Sequence, residues 1–129
     1  MEPEDLDTSQ STEQDSIPTV DIISRSVPTA EGNNTIYLSI VTYSNAIQAA
    51  LYDNAPKLGS MSLAYPVMKK VERQTIFKGK DDQLAHALAL ILANTTKKIV
   101  YASVNIKEHT VVTNELIREM IAEFKTTST

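Results

Sequence analysis

The segment from Leu84 to Leu92 has almost no polar face. Read as a helix, it puts Leu84, Leu88, Ile91 and Leu92 on one stripe, and Ala85, Ala87, Ala89 and Leu90 fill most of the rest. A helix patterned this way persists only when neighbouring layers cover it on both sides. Asp81 or Asp82 stands where a carboxylate can cap the start by accepting bonds from free backbone N–H groups. The helix is predicted to run to about Asn94. Lys97 and Lys98 follow its end, where cations suit the dipole.

The covering layers are legible as strands. Val20–Val27 alternates loosely, and Gly32-Asn33-Asn34 signals a turn before Thr35–Tyr43. In that second run Ile36, Leu38 and Ile40 point one way and Tyr37, Ser39 and Val41 the other, so the two runs read as an antiparallel hairpin. Ala46–Tyr52 is ambiguous between helix and strand, and a short strand fits better because Asn54-Ala55-Pro56 ends the run early. Ser60–Tyr65 is a strand with Met61, Leu63 and Tyr65 on one face, and Pro66 limits pairing beyond it because it offers no backbone donor. Gln74–Lys78 is a further short strand closed by Gly79. Ile99–Ile106 is a strand apolar at Val100, Ala102, Val104 and Ile106. The last element is an amphipathic helix capped by Thr110 or Thr113, with Leu116, Ile117, Met120, Ile121 and Phe124 as its apolar stripe. Strands followed by helix, strand and helix predict an α+β fold: an antiparallel sheet or sandwich of about six strands with two helices packed on it.

A chain of 129 residues is one domain by size and long enough to bury a core. Residues 1–16 hold Glu2, Glu4, Asp5, Asp7, Glu13 and Asp15 with no Lys or Arg, and almost nothing apolar. They are expected to form a disordered acidic tail. The folded domain is then 17–125, and 126–129 a frayed end. Removing the six tail carboxylates leaves ten acidic residues against 12 basic ones, so the body is slightly positive. Half of the 12 basic residues lie between Lys57 and Lys80. No cysteine is present, which excludes a disulfide framework and a thiol nucleophile. The acidic start is the opposite of a signal or transit peptide, and no apolar run approaches the roughly 20 residues a membrane span needs. A soluble cytosolic or nuclear protein is expected.

No motif for chemistry emerges. Gly79-Lys80-Asp81-Asp82 puts carboxylates where a phosphate loop needs backbone amides, so nucleotide binding is not expected. The two histidines do not make a metal site: His86 lies four residues from Asp82 as a satisfied helix-surface residue, and His109 reads as a solvated loop residue. Ser60, Ser62 and Ser103 read as half-exposed strand residues, with no strained-turn nucleophile motif around them. The segment Lys69–Arg73 is too weakly basic for nucleic acid and lacks interleaved aromatics beyond Tyr65 and Phe77. It reads as a solvated loop, or as a patch for an acidic protein partner. Lys69, Lys70, Arg73 and Lys78 are the candidate partner-binding residues.

Taken in order, several segments resemble the proteasome assembly chaperone 4 family, in its fungal form. They are Thr35–Ile40, Asn54–Ala64, Phe77-Lys78-Gly79 with the helix Leu84–Ala93, Lys98–Asn105, and the closing helix Glu115–Phe124. The match runs from Asn34 to Phe124 and consists of fold-level patterns. The acidic tail has no counterpart in it, and Asn94-Thr95-Thr96 stands where the family has Arg-Lys. The resemblance implies a non-enzymatic chaperone, without cofactor, that pairs with a second, similarly folded chaperone. The heterodimer would bind α-type subunits of the 20S core particle during α-ring assembly. The alternative is a longin-like trafficking subunit or another protein-binding module of similar shape.

Overall fold

The computed structural model describes residues 17–107 and 110–128. The acidic segment 1–16 and His109 lie outside them. Six strands and two helices follow in the order β1 (Thr19–Thr29), β2 (Gly32–Thr42), β3 (Ala46–Asp53), β4 (Ser60–Val67), β5 (Lys70–Phe77), α1 (Asp82–Thr96), β6 (Ile99–Asn105) and α2 (Asn114–Ser128). The strands form one sheet in the order β1-β2-β3-β6-β4-β5. The α+β architecture is the expected one, but the sheet is mixed and single-layered. β6 runs parallel to β3 and antiparallel to β4, wedged between the two halves. The return through α1 makes this possible, because a parallel neighbour needs a long crossover.

Both helices cover one face of the sheet. α1 lies over β4, β6 and β5, and α2 rests on β1 and against α1. The buried side of α1 is Ala85, Leu88, Ala89, Leu92 and Ala93, and it meets Ala64 and Ala102 of the sheet, all completely enclosed. Alanine on both surfaces lets the backbones approach closely. Leu84, Ala87, Leu90 and Ile91 are only partly buried at the flanks, so the coverage expected on both sides is incomplete. The rest of the core comes from Ile23 and Val27 of β1, Ile36, Leu38 and Ile40 of β2, and Ile47, Ala49 and Leu51 of β3, with Val100, Val104 and Ile106. Ile117, Met120, Ile121 and Phe124 of α2 close it.

Two local expectations change. Neither aspartate caps α1 with its side chain. The Asp81 carboxylate instead accepts the Ile106 N–H at 3.0 Å and pairs with Lys80, whose ammonium also donates to the Ile106 carbonyl. That bond ties the helix start to the end of β6. Ser60, Ser62 and Ser103 are buried, not half-exposed. Ser60 Oγ accepts the Asp81 N–H at 2.9 Å and Ser103 Oγ accepts the Gly59 N–H at 2.9 Å, so each hydroxyl satisfies a backbone donor that the ladders leave free. Of the two threonines considered for α2, Thr113 is the cap: its Oγ1 accepts the Leu116 N–H at 3.1 Å.

Candidate protein-docking face

Among the described residues, none forms a layer over the side of the sheet away from the helices. Strand register identifies what it carries. One row across the sheet is Phe77, Met61, Ser103, Ala50, Ser39 and Ile22. The next is Gln74, Leu63, Tyr101, Gln48, Val41 and Val20. The first row has a floor of small residues in its middle three strands, with large apolar side chains at both ends: Phe77 is 59% exposed and Ile22 61%. Tyr101 and Ile99 of β6 are also well exposed. Tyr37 and Tyr52 stack across β2 and β3 with ring centroids 5.7 Å apart.

Charge is what sets this face apart. From β1 through β4 it presents Val, Ile, Ser, Thr, Tyr, Ala, Gln, Asn, Met and Leu, and no Asp, Glu, Lys or Arg; the two charged residues, Lys70 and Glu72, sit on the edge strand β5. A sheet face meant for water normally alternates into charged and polar side chains. An uncharged face with exposed aromatic and branched residues is the composition of a protein-binding surface. Tyr65 lies on this face, and Phe77 belongs to it rather than to the core.

The four basic candidates fall in different places. Residues 70–73 are not a loop: they form the start of β5, paired with Val67, Pro66, Tyr65 and Ala64 in antiparallel register. Lys69 lies in the two-residue turn between β4 and β5, and Lys70 opposite Val67 is the next residue. Arg73, opposite Ala64, is on the helix side, beside a cleft lined by Asp82, His86, Leu90 and Asn114. Lys78 follows the far end of β5, roughly 30 Å from Lys69 by the rise of a strand. At a screening length of about 8 Å it acts separately from the other three. All four are exposed, and among the described residues none makes an ion pair within the chain, whereas Lys57 and Lys80 are held by Asp53 and Asp81.

Among the described residues, the polar cluster around His86 is not a catalytic relay. His86 Nε2 lies 2.9 Å from Thr75 Oγ1 and 3.2 Å from Asp82 Oδ1, while Nδ1 is buried without a partner. A hydroxyl–imidazole–carboxylate relay needs its two partners on different ring nitrogens. Here both share one, so the histidine joins β5 to α1 structurally. Among the described residues no group of three or more His, Cys, Asp or Glu could hold a metal ion, and no helix is long and apolar enough to cross a membrane.

The most polar buried site is Asp53, at the end of β3. Its Oδ2 accepts the Lys107 N–H at 2.8 Å and the Asn34 amide at 2.7 Å, and its Oδ1 faces the Lys57 ammonium at 3.0 Å. Burial pushes its pKa up, but the Lys107 N–H, the Lys57 ammonium and the Asn34 amide together outweigh burial and hold it below the ordinary carboxylate value. The cluster ties Asn34, Lys57 and Lys107 to the end of β3 at one end of the sheet.

No protein-family model matches the chain, and no curated protein matches it. Among solved structures it is similar to a chain from a chaperone complex for yeast 20S proteasome assembly. The TM-score is 0.56 at 15% sequence identity, over 84% of this chain and 96% of that one. The two share a fold.

Proposed function

We propose that the protein is a non-catalytic assembly chaperone of the proteasome assembly chaperone 4 type, acting in the cytosol or nucleus. In this reading it pairs with a second, similarly folded chaperone through the open sheet face. The pair binds α-type subunits of the 20S core particle while the α ring forms. The observation that carries the reading is a face of the six-stranded sheet that no described residue layers over and that carries charge only on its edge strand. Its occupant is argued to be another sheet, because a flat surface with a small-residue floor between apolar ridges complements a second sheet packed about 10 Å away. The likeness in fold to a chain of a proteasome assembly complex supports the same partner. Lys69, Lys70, Arg73 and Lys78 are proposed to lie toward the α subunit, and there long-range charge steers encounter more than it sets affinity.

The test is affinity capture on the tagged full chain at physiological salt, with the retained proteins identified. The expected result is one small α+β chaperone together with 20S α subunits. Leu63→Lys combined with Tyr101→Lys puts two cations in the middle of the open face and should release the small chaperone without unfolding the chain. Retention of trafficking proteins in place of proteasome subunits would move the assignment to a longin-like module. Unchanged capture by the double variant would remove the sheet face from the interface.

A further inference from the structure

We propose that the tip of the β4–β5 hairpin is a docking arm, with Met68 as its apolar anchor and Lys69 and Lys70 as its basic collar. Its occupant is an apolar socket rimmed by carboxylates on the α-type subunit. The inference rests on the reading above, and it adds a contact at the edge of the open sheet face, on the hairpin tip beyond the β4–β6 ladder.

Three observations converge on Met68. It is 98% exposed, the most exposed of the large apolar side chains described, so no packing among the described residues rewards a methionine there. It also sits at φ +57°, as the first of the two turn residues, Met68 and Lys69. Hairpin turns that require positive φ at this position favour Gly or Asn, and an unbranched apolar residue is disfavoured. A residue that breaks the local rule without a gain inside the fold points to a role outside it. Finally, the tip projects. The β4–β6 ladder ends at the Ala64–Val100 pair, while β4 and β5 continue through Pro66–Val71 and Val67–Lys70. Val67, 42% exposed, extends the apolar surface beside Met68, and Lys69, Lys70 and Glu72 line the same shallow concavity.

The chemistry of the occupant follows. The thioether is flexible and polarisable and adapts to an irregular pocket. Two adjacent ammonium groups that pair with no carboxylate among the described residues are complemented by carboxylates around that pocket. A protein fits better than an anionic membrane. One methionine and one valine are too little apolar surface for stable lipid anchoring, and Glu72 beside the collar opposes an anionic lipid surface.

Met68→Asn separates folding from docking. Asparagine suits the positive φ, so the melting temperature of the full chain should stay level or rise by a few degrees. Affinity for isolated recombinant 20S α subunits, measured by surface kinetics, should fall about 10- to 100-fold, the range expected for losing one buried methionine. Met68→Leu keeps the apolar volume and should bind within about threefold of wild type, a difference of under 1 kcal/mol. Capture of the paired chaperone should not change. Undiminished α-subunit binding by Met68→Asn would overturn the arm and leave the chaperone reading standing. Loss of the paired chaperone with Met68→Asn would also overturn it, by assigning the tip to the sheet interface. So would Met68-dependent flotation with phosphatidylserine vesicles, by assigning it to a membrane. If the wild-type chain binds no α subunit, both the arm and the chaperone reading fall.

Discussion

Asp53→Ala removes a fully buried carboxylate that joins three separate segments of the chain. Hydrogen bonds to a charged acceptor contribute about 1.5–3 kcal/mol each, and Asp53 accepts two on Oδ2 besides the Lys57 ion pair. Desolvation of the carboxylate offsets part of that sum. The alanine variant also leaves the Lys107 N–H without its acceptor. The expected net loss is about 2–4 kcal/mol, a fall in melting temperature on the order of 10 °C for a chain of this length. The pH dependence has a definite sign. The folded pKa lies below the ordinary carboxylate value, so the folded state holds its proton less tightly than the unfolded chain does. The contribution is therefore complete above the unfolded value of about 3.9 and is lost as pH falls through the lower folded value. Urea melts of wild type and Asp53→Ala between pH 7 and pH 3 should differ by a constant amount down to about pH 5 and converge below about pH 4. A difference under about 0.5 kcal/mol at pH 7, as for an ordinary surface substitution, would refute the reasoning. So would a gap that widens on acidification.

Gly59→Ala should destabilise by about 1–3 kcal/mol in urea melts, because overpacking forces the backbone to move. A Cβ at that position would lie 2.5 Å from the Val104 carbonyl oxygen and 2.9 Å from Asn105 Cβ. Deleting residues 1–16 should leave the melting temperature unchanged, since the described core begins at Ile23; a large drop would show that the segment belongs to the fold. Reversing Lys69 and Lys70 to Glu should slow association with α subunits while circular dichroism stays the same. The wild-type rate should itself fall as salt rises, because a screening length of about 8 Å at physiological salt shortens further. Rates indifferent to both changes would leave these lysines as solvated turn residues.

The strands were readable wherever one face had to be buried. Ile36, Leu38 and Ile40 alternate cleanly and all are enclosed, and β3 emerged from an alanine-rich run because Pro56 ended it too soon for a helix. The start of β5 was missed, and Lys70–Arg73 read as a loop, because an edge strand with no buried face has no reason to alternate. The serines of β4 and β6 read as half-exposed because a hydroxyl gives no sign in sequence of whether a backbone donor is waiting for it. Ser60 and Ser103 are buried because the Asp81 and Gly59 amides need acceptors that only the folded chain brings near. The capping role expected of Asp81 failed for the same reason: the Ile106 amide, 25 residues away in sequence, takes its carboxylate.

The basic cluster was legible as composition, but its division was not. Six cations between Lys57 and Lys80 look like one patch along the chain. Folding uses Lys57 and Lys80 inside the molecule, sends Lys78 to the far end of β5 and leaves Lys69 and Lys70 at a projecting tip. Met68 carries one signal in sequence, an unbranched apolar residue between Val67 and two lysines, but its exposure and positive φ exist only in the fold.

The sequence by itself determined the element types, the α+β class and the main apolar stripes, because side-chain periodicity is a local property that a helix or strand repeats every few residues. Only the tertiary structure decided that β6 inserts parallel to β3 in the middle of the sheet, that both helices take the same face, and that no described residue layers over the other. Those outcomes depend on which strands pair. Pairing is settled by contacts between segments dozens of residues apart, and periodicity within any one segment carries no record of it.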